Sequence, residues 1–275
     1  MTIRIAAVGD IHLGVGGAGS LRPSLATLGE RADLFLLAGD LTRHGTADEA
    51  RVVADELADL PVPVIAVLGN HDYHGEQPDQ VAAILAERGI RTLESQSAIV
   101  EVGACRVGIA GTKGFGGGFA GHALDVFGEP ELKALARKSA ALADGLAAAL
   151  DELKAAGCGL RVALTHYSPV PDTLAGEPPE IFPFLGSYLL AQAIDASGAD
   201  LAVHGHAHSG SERGMTSGGV RVRNVAQPLI RRAYALFHLT ESSLSEDEDA
   251  TGEAADRSQA SESQAAELQA SGARR

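Results

Sequence analysis

Ile3-Arg4-Ile5-Ala6-Ala7-Val8-Gly9-Asp10-Ile11-His12 opens the chain with an apolar run that breaks at a glycine and delivers an aspartate and a histidine. A short apolar run without alternation predicts a strand covered on both faces, as in a parallel sheet. The pattern returns twice: Leu34–Ala38 runs into Gly39-Asp40-Leu41-Thr42, and residues 62–68 run into Gly69-Asn70-His71-Asp72. Helical patterns separate these strands. One begins at Thr46, with Glu49 placed to complete a capping box and Ala50, Val53, Ala54 and Leu57 on one face. Another starts near Pro78, carries Val81, Ile84 and Leu85 inward, and stops at Gly89. Strand–helix–strand order of this kind predicts parallel strands joined by right-handed crossovers.

Further along, residues 99–110 predict two strands turning at Gly103-Ala104. A glycine-rich loop follows at 111–119. Residues 130–156 predict one long helix, opening with Pro130 and ending before Gly157. Strands are expected at 160–164 and Leu201–His204, with a helix over Tyr188–Ser197 between them. Two closing strands are expected at 220–225 and 233–239. The expected catalytic domain is therefore 1–240. Residues 241–275, rich in Ser, Ala and Glu, predict a disordered acidic tail.

Composition narrows the function. The net charge is −14; residues 241–275 hold nine acidic and three basic side chains, so the tail contributes −6 and the body −8. That body argues against a nucleic-acid partner, because binding phosphate backbones needs clustered Lys and Arg. A run of 18 apolar residues without a charge is absent, so no membrane-spanning helix is expected. The N-terminal apolar run is too short for a signal peptide. Cys105 and Cys158 fit no metal or redox spacing and are expected to be reduced thiols, which together place the protein in the cytoplasm.

In open α/β sheets, function collects beyond the carboxyl ends of strands. Five strand ends here carry Asp, Asn or His: Asp10 and His12, Asp40, Asn70, Thr165-His166, and Gly205-His206-Ala207-His208. A lone aspartate after a strand is usually a turn former, and a lone buried histidine is usually a satisfied core residue. Turn formation does not also demand His-x-His at the fifth end. Carboxylate, amide oxygen and imidazole are ligands for Mn, Fe, Zn, Co or Ni rather than for a thiolate site. Seven candidates exceed the needs of one metal. Two cations ~3.5–4 Å apart need an anion between them, and Asp40, from the middle of the set, is the natural bridge.

In this order, GD-x-H, GD, GNHD, a strand-end His and GH-x-H resemble the calcineurin-like metallophosphoesterase superfamily, over roughly residues 3–240. The resemblance implies an α/β fold, a four-layer α/β/β/α sandwich in which the early alternation forms one half. It implies that Asp10, His12, Asp40 and His208 hold one divalent metal and that Asp40, Asn70, His166 and His206 hold a second, the metals being Mn, Fe or Zn. It also implies that His71 is no ligand but contacts the phosphate or protonates the leaving oxygen, with Asp72 supporting it. The expected reaction is in-line attack by a metal-bridging hydroxide on a small organic phosphate, preferentially a diester because GNHD replaces the GNHE of protein phosphatases. A monoesterase or protein phosphatase, a nuclease and a non-catalytic scaffold are the alternatives.

Weaker signals surround these motifs. Gly14–Gly19 fits G-x-G-x-x-G, but Asp10 and His12 separate it from the strand end, which argues against a dinucleotide fingerprint. The 111–119 loop lacks the phosphate-loop order, yet it brings Lys113 toward the expected site as a possible substrate contact. His44, His74 and His122 are placed equally well in the pocket or on the surface. His204 is expected behind the ligands, His238 in an ordinary strand, and the 178–184 segment as a pocket wall or simple packing.

Overall fold

The structure, a computed structural model, describes residues 1–240 and 243–246. Four strands, β1 (Ile3–Val8), β2 (Leu34–Ala38), β3 (Val64–Val67) and β4 (Arg91–Thr92), run parallel and side by side. Helices Ala47–Leu57 and Pro78–Glu87 connect the second, third and fourth. The first of these starts on the expected capping box: Thr46 Oγ1 accepts from Glu49 N, and Glu49 Oε2 accepts from Thr46 N.

The chain then builds a second sheet. β5 (Gln96–Val102) and β6 (Cys105–Thr112) form an antiparallel hairpin whose two-residue turn has Gly103 first, at a φ of +60°. A small ribbon of β7 (Gly118–Phe119) and β8 (His122–Ala123) precedes the long helix Pro130–Ala155. β9 (Leu160–Thr165), helix Tyr188–Ser197, β10 (Leu201–His204), β11 (Arg213–Met215) and β12 (Arg221–Asn224) follow. This sheet runs in the order β11-β12-β10-β9-β6-β5. β13 (Ala235–Thr240) returns to the first sheet, antiparallel to β1, and β14 (Ser243–Glu246) pairs with β13.

Two mixed six-stranded sheets therefore pack face to face, each covered outside by helices. Side-chain size sorts the layers. Val107, Ile109, Val162, Leu164, Leu201 and Val203 join the core shared with the first sheet. The intervening Ala110, Ala163 and Ala202 join the outer core with Leu146, Leu150 and Leu153 of the long helix. Small residues let that helix approach the sheet, and each buried leucine contributes about 1.5–3 kcal/mol. The carboxyl ends of β1, β2 and β3 in one sheet and of β9 and β10 in the other converge on one rim.

The boundary expected at 240 falls inside a hairpin. Ser243–Glu246 is a strand, held because Glu246 pairs with Arg213 at 3.2 Å and with Arg223, both on the second sheet. The remainder of the expected disordered tail, 247–275 together with 241–242, lies outside the described residues.

Candidate metal centre

The loops after β1 and β2 run as a paired ribbon: Asp10 N donates to Gly39 O at 2.9 Å, His12 N to Asp40 O at 3.0 Å and Leu13 N to Leu41 O at 2.9 Å. This pairing turns the backbone sharply. Asp10, His12, Asp40 and His206 all adopt left-handed φ, at +58°, +42°, +50° and +70°. Such a conformation costs a residue with a Cβ roughly 1–2 kcal/mol, and strain of this kind concentrates where a site requires it. Two glycines make room beside the carboxylates. A Cβ on Gly69 would stand 2.1 Å from Asp40 Oδ1, and one on Gly205 would stand 2.2 Å from Asp10 Oδ2.

All seven expected ligands come together. His208 Nε2 lies 2.8 Å from Asp10 Oδ1 and 3.5 Å from His12 Nε2. His12 Nε2 is 3.7 Å from Asp40 Oδ2. On the other side, His166 Nε2 is 3.4 Å from Asp40 Oδ1 and 2.9 Å from Asn70 Oδ1. His166 Nδ1–H donates to Ala38 O at 2.8 Å, which fixes the tautomer and turns Nε2 toward the cluster. His206 is held at its backbone N–H by Asp10 Oδ2, 2.9 Å away, and its ring Nε2 meets Phe184 O at 3.2 Å. Among the described residues, two groups could each enclose a cation, Asp10 with His12, Asp40 and His208, and Asp40 with His166 and His206.

Burial sets the charge state. It drives His12 down to about 3 and His206 to about 4, against the pull of Asp10, and holds His166 well below its ordinary value. These imidazoles are neutral at physiological pH, the form that ligates metal. Asp40 is 1% exposed. Burial pushes its carboxyl well up, and the negative charges of Asp10 and Asp72 push further. Asp10 is also driven up by burial, but its hydrogen bond to His208 and the nearby histidines more than reverse this. Neutral imidazoles around two buried carboxylates, one of them lacking a strong counter-charge, form a donor set that suits divalent cations.

His71 stands beside this cluster, its Nε2 4.0 Å from Asp40 Oδ2. Its Nδ1–H donates to Arg43 O at 2.8 Å, and its backbone N–H donates to Asp40 Oδ1 at 2.8 Å. The His12 ring meets it edge-on at 4.5 Å, and His74 lies against it at 4.4 Å. Asp72 does not support the His71 ring as expected. Its oxygens accept from Gly69 N at 2.8 Å, Leu41 N at 3.2 Å, Thr42 N at 2.8 Å and Thr42 Oγ1 at 2.6 Å. Asp72 is wholly buried and clamps the loops after β2 and β3 together, because those backbone donors have no other acceptor there.

The remaining histidines separate. His44 is exposed and bonds Glu49 at 2.9 Å at the start of its helix, and His122 is exposed on the small ribbon. His204 is buried behind the ligands, Nε2 on Thr173 Oγ1 at 2.8 Å, and burial lowers it to about 4. Gly14–Gly19 forms only a short helical turn. Tyr167 was not among the expected site residues. Its ring lies 4.4 Å from His206 and 5.6 Å from His166, and its position directly after a strand-end ligand is the signal that could have found it. Lys113, from the 111–119 loop, is 5% exposed, and burial lowers its ammonium to about 8.

A strand-end cluster of Asp and His between two sheets could hold divalent cations. Residues 3–210 match the calcineurin-like phosphoesterase family, to which the chain belongs. A probable cyclic nucleotide phosphodiesterase of Synechococcus is 35% identical over 94 residues, covering 30% of this chain and 35% of that relative's length. The chain thus aligns with about a third of that curated relative. Among solved structures, a phosphopantetheinyl hydrolase of Mycobacterium tuberculosis superposes with a TM-score of 0.59 at 18% identity, covering 92% of this chain and 98% of that one. A 5'-nucleotidase precursor of Thermus thermophilus gives 0.54 at 19%, covering 90% of this chain and 54% of that one. Among the described residues, no helix is long and apolar enough to cross a membrane.

Proposed function

We propose that the protein hydrolyses a small organic phosphodiester at a centre of two divalent metal ions. Asp10, His12, Asp40 and His208 would hold one ion, and Asp40, Asn70, His166 and His206 the other. The observation that carries this is the pair of Asp40 oxygens: Oδ2 faces His12 at 3.7 Å and Oδ1 faces His166 at 3.4 Å. A carboxylate turned toward both ligand groups suits a bridge. Bound there, the cations would supply a nucleophile at neutral pH and offset charge on the phosphoryl oxygens.

The chain's own groups do the rest. The β1 and β2 loop ribbon and the Asp72 clamp hold the carboxylates in place. His71 carries a proton on Nδ1, committed to Arg43 O, so Nε2 is the atom left to contact the phosphate or to hand a proton to the departing alkoxide. Its packing between His12 and His74 limits the ring to one orientation.

Preference for a diester rests on Asp72 in the GNHD motif and on the Synechococcus relative's description as a probable cyclic nucleotide phosphodiesterase. The acidic body argues against a nucleic-acid substrate. Metal analysis combined with hydrolysis of bis(p-nitrophenyl) phosphate and p-nitrophenyl phosphate, with and without Mn, tests the reading. About two metals per chain and faster diester turnover are expected. Absence of turnover with every divalent metal, together with less than about one metal per chain, would sink it.

A further inference from the structure

Lys113 follows β6, and its backbone is fastened to the candidate metal centre. Its carbonyl accepts from both His166 N and Tyr167 N at 3.1 Å, and its own N–H donates to Glu94 Oε1 at 3.1 Å. The side chain ends among three aromatic rings, Nζ lying 4.9 Å from the centre of Tyr73, 5.1 Å from Phe115 and 5.1 Å from Tyr167. Two of these rings belong to the site's own loops: Tyr73 is two residues beyond His71, and Tyr167 adjoins His166. Tyr167 stacks on His206 with its ring 4.4 Å away, so a single ring separates the ammonium from a candidate ligand.

The ammonium forms no hydrogen bond and no ion pair among the described residues. Glu94 and Asp40 attract the ammonium from beyond hydrogen-bond reach, while the Glu94 oxygens accept from Thr112 Oγ1 at 2.6 Å, the Lys113 backbone and Tyr73 OH at 3.2 Å. Ring faces attract a cation but accept no strong hydrogen bonds, so three N–H donors remain in a largely desolvated place. An anion that accepted those donors directly would complete the arrangement. Lys138 stands over the Phe115 ring as well, at 5.3 Å, so positive charge collects on this wall of a body whose net charge is −8.

We propose that the Lys113 ammonium binds a phosphoryl oxygen of the substrate, held in position by the Tyr73–Phe115–Tyr167 cage. The inference rests on the phosphoesterase reading and adds a substrate-binding group to it. The cage removes the rotamer freedom a lysine ordinarily loses on binding, which is why a mostly buried lysine serves better here than a surface one.

Two measurements on the full-length protein test it. In the Mn-loaded wild type, inorganic phosphate should slow reductive methylation of Lys113, read by mass spectrometry, while Lys154, exposed at the end of the long helix, reacts as before. In Lys113→Met, the metal content should be unchanged, while the inhibition constant of inorganic phosphate and KM for the aryl diester rise about tenfold or more. Lys113→Arg should recover most of that loss. A Lys113 that phosphate does not protect overturns the inference, as does a Lys113→Met protein that binds phosphate as tightly as wild type. The protection experiment decides alone if Lys113→Met fails to fold. A wild type that turns over no phosphate ester refutes the underlying reading; an active one that ignores Lys113 refutes only this inference.

Discussion

Replacing Asp40 by asparagine should make the metal-free protein more stable while removing its metals. Asp40 is 1% exposed, lies near Asp10 and Asp72, and accepts a hydrogen bond from His71 N at 2.8 Å. Burying an ion without a partner carries an effective penalty of several kcal/mol, partly offset by that charged hydrogen bond. Asparagine keeps an acceptor for His71 and tolerates the left-handed φ of +50°, so the backbone need not move. The metal-free variant should therefore gain about 1–3 kcal/mol at neutral pH. The pH dependence has a definite sign. A carboxyl raised in the folded state retains its proton where the unfolded one has lost it, so wild-type stability falls as pH rises from the ordinary carboxylate range toward the raised value. Asp40→Asn should lose that slope. Urea unfolding in EDTA across pH measures both, and adding Mn should stabilise the wild type but not the variant. A metal-free Asp40→Asn that is less stable than wild type would refute the charge argument. One that still binds two metals would refute the bridge.

His71→Ala should keep the metals yet slow an alkyl diester by about 10²–10⁴-fold, with a much smaller loss on p-nitrophenyl esters, whose leaving group needs no proton. Equal loss on both substrates would remove the acid role. Gly69→Ala places a Cβ 2.1 Å from Asp40 Oδ1 and 2.3 Å from Asp40 N, so metal content by elemental analysis and the unfolding midpoint should both drop. Asp72→Ala strips the acceptor from four donors and should destabilise the fold by about 3–5 kcal/mol in urea titration, since removing a buried charged partner leaves its donors orphaned.

What could be read from residues alone was whatever the chemistry restricts to a few side chains. Asp, Asn and His at successive strand ends are readable in the chain as written, and the fold brings those seven positions together. The helices at Thr46 and Pro130 announce themselves through a capping box and a first-turn proline, both of them local. Asp72 misled because three of its four donors come from Leu41 and Thr42, some thirty residues away, while its neighbour His71 offered the nearer explanation. The strand at Ser243–Glu246 was hidden for a similar reason: its segment is polar, and the arginines that hold Glu246 come from β11 and β12. The cage around Lys113 draws on Tyr73, Phe115 and Tyr167, three rings that no sequence periodicity links.

The position of β1 has a consequence for synthesis. It lies between β2 and β13, so one of its flanks is closed by residues made more than two hundred positions later. While the ribosome works toward Ala235, the Ile3–Val8 ribbon presents unpaired amides beside apolar side chains, an invitation to stray strands. His206 and His208 also emerge late, so neither of the two groups that could enclose a cation is complete until most of the described residues have been made.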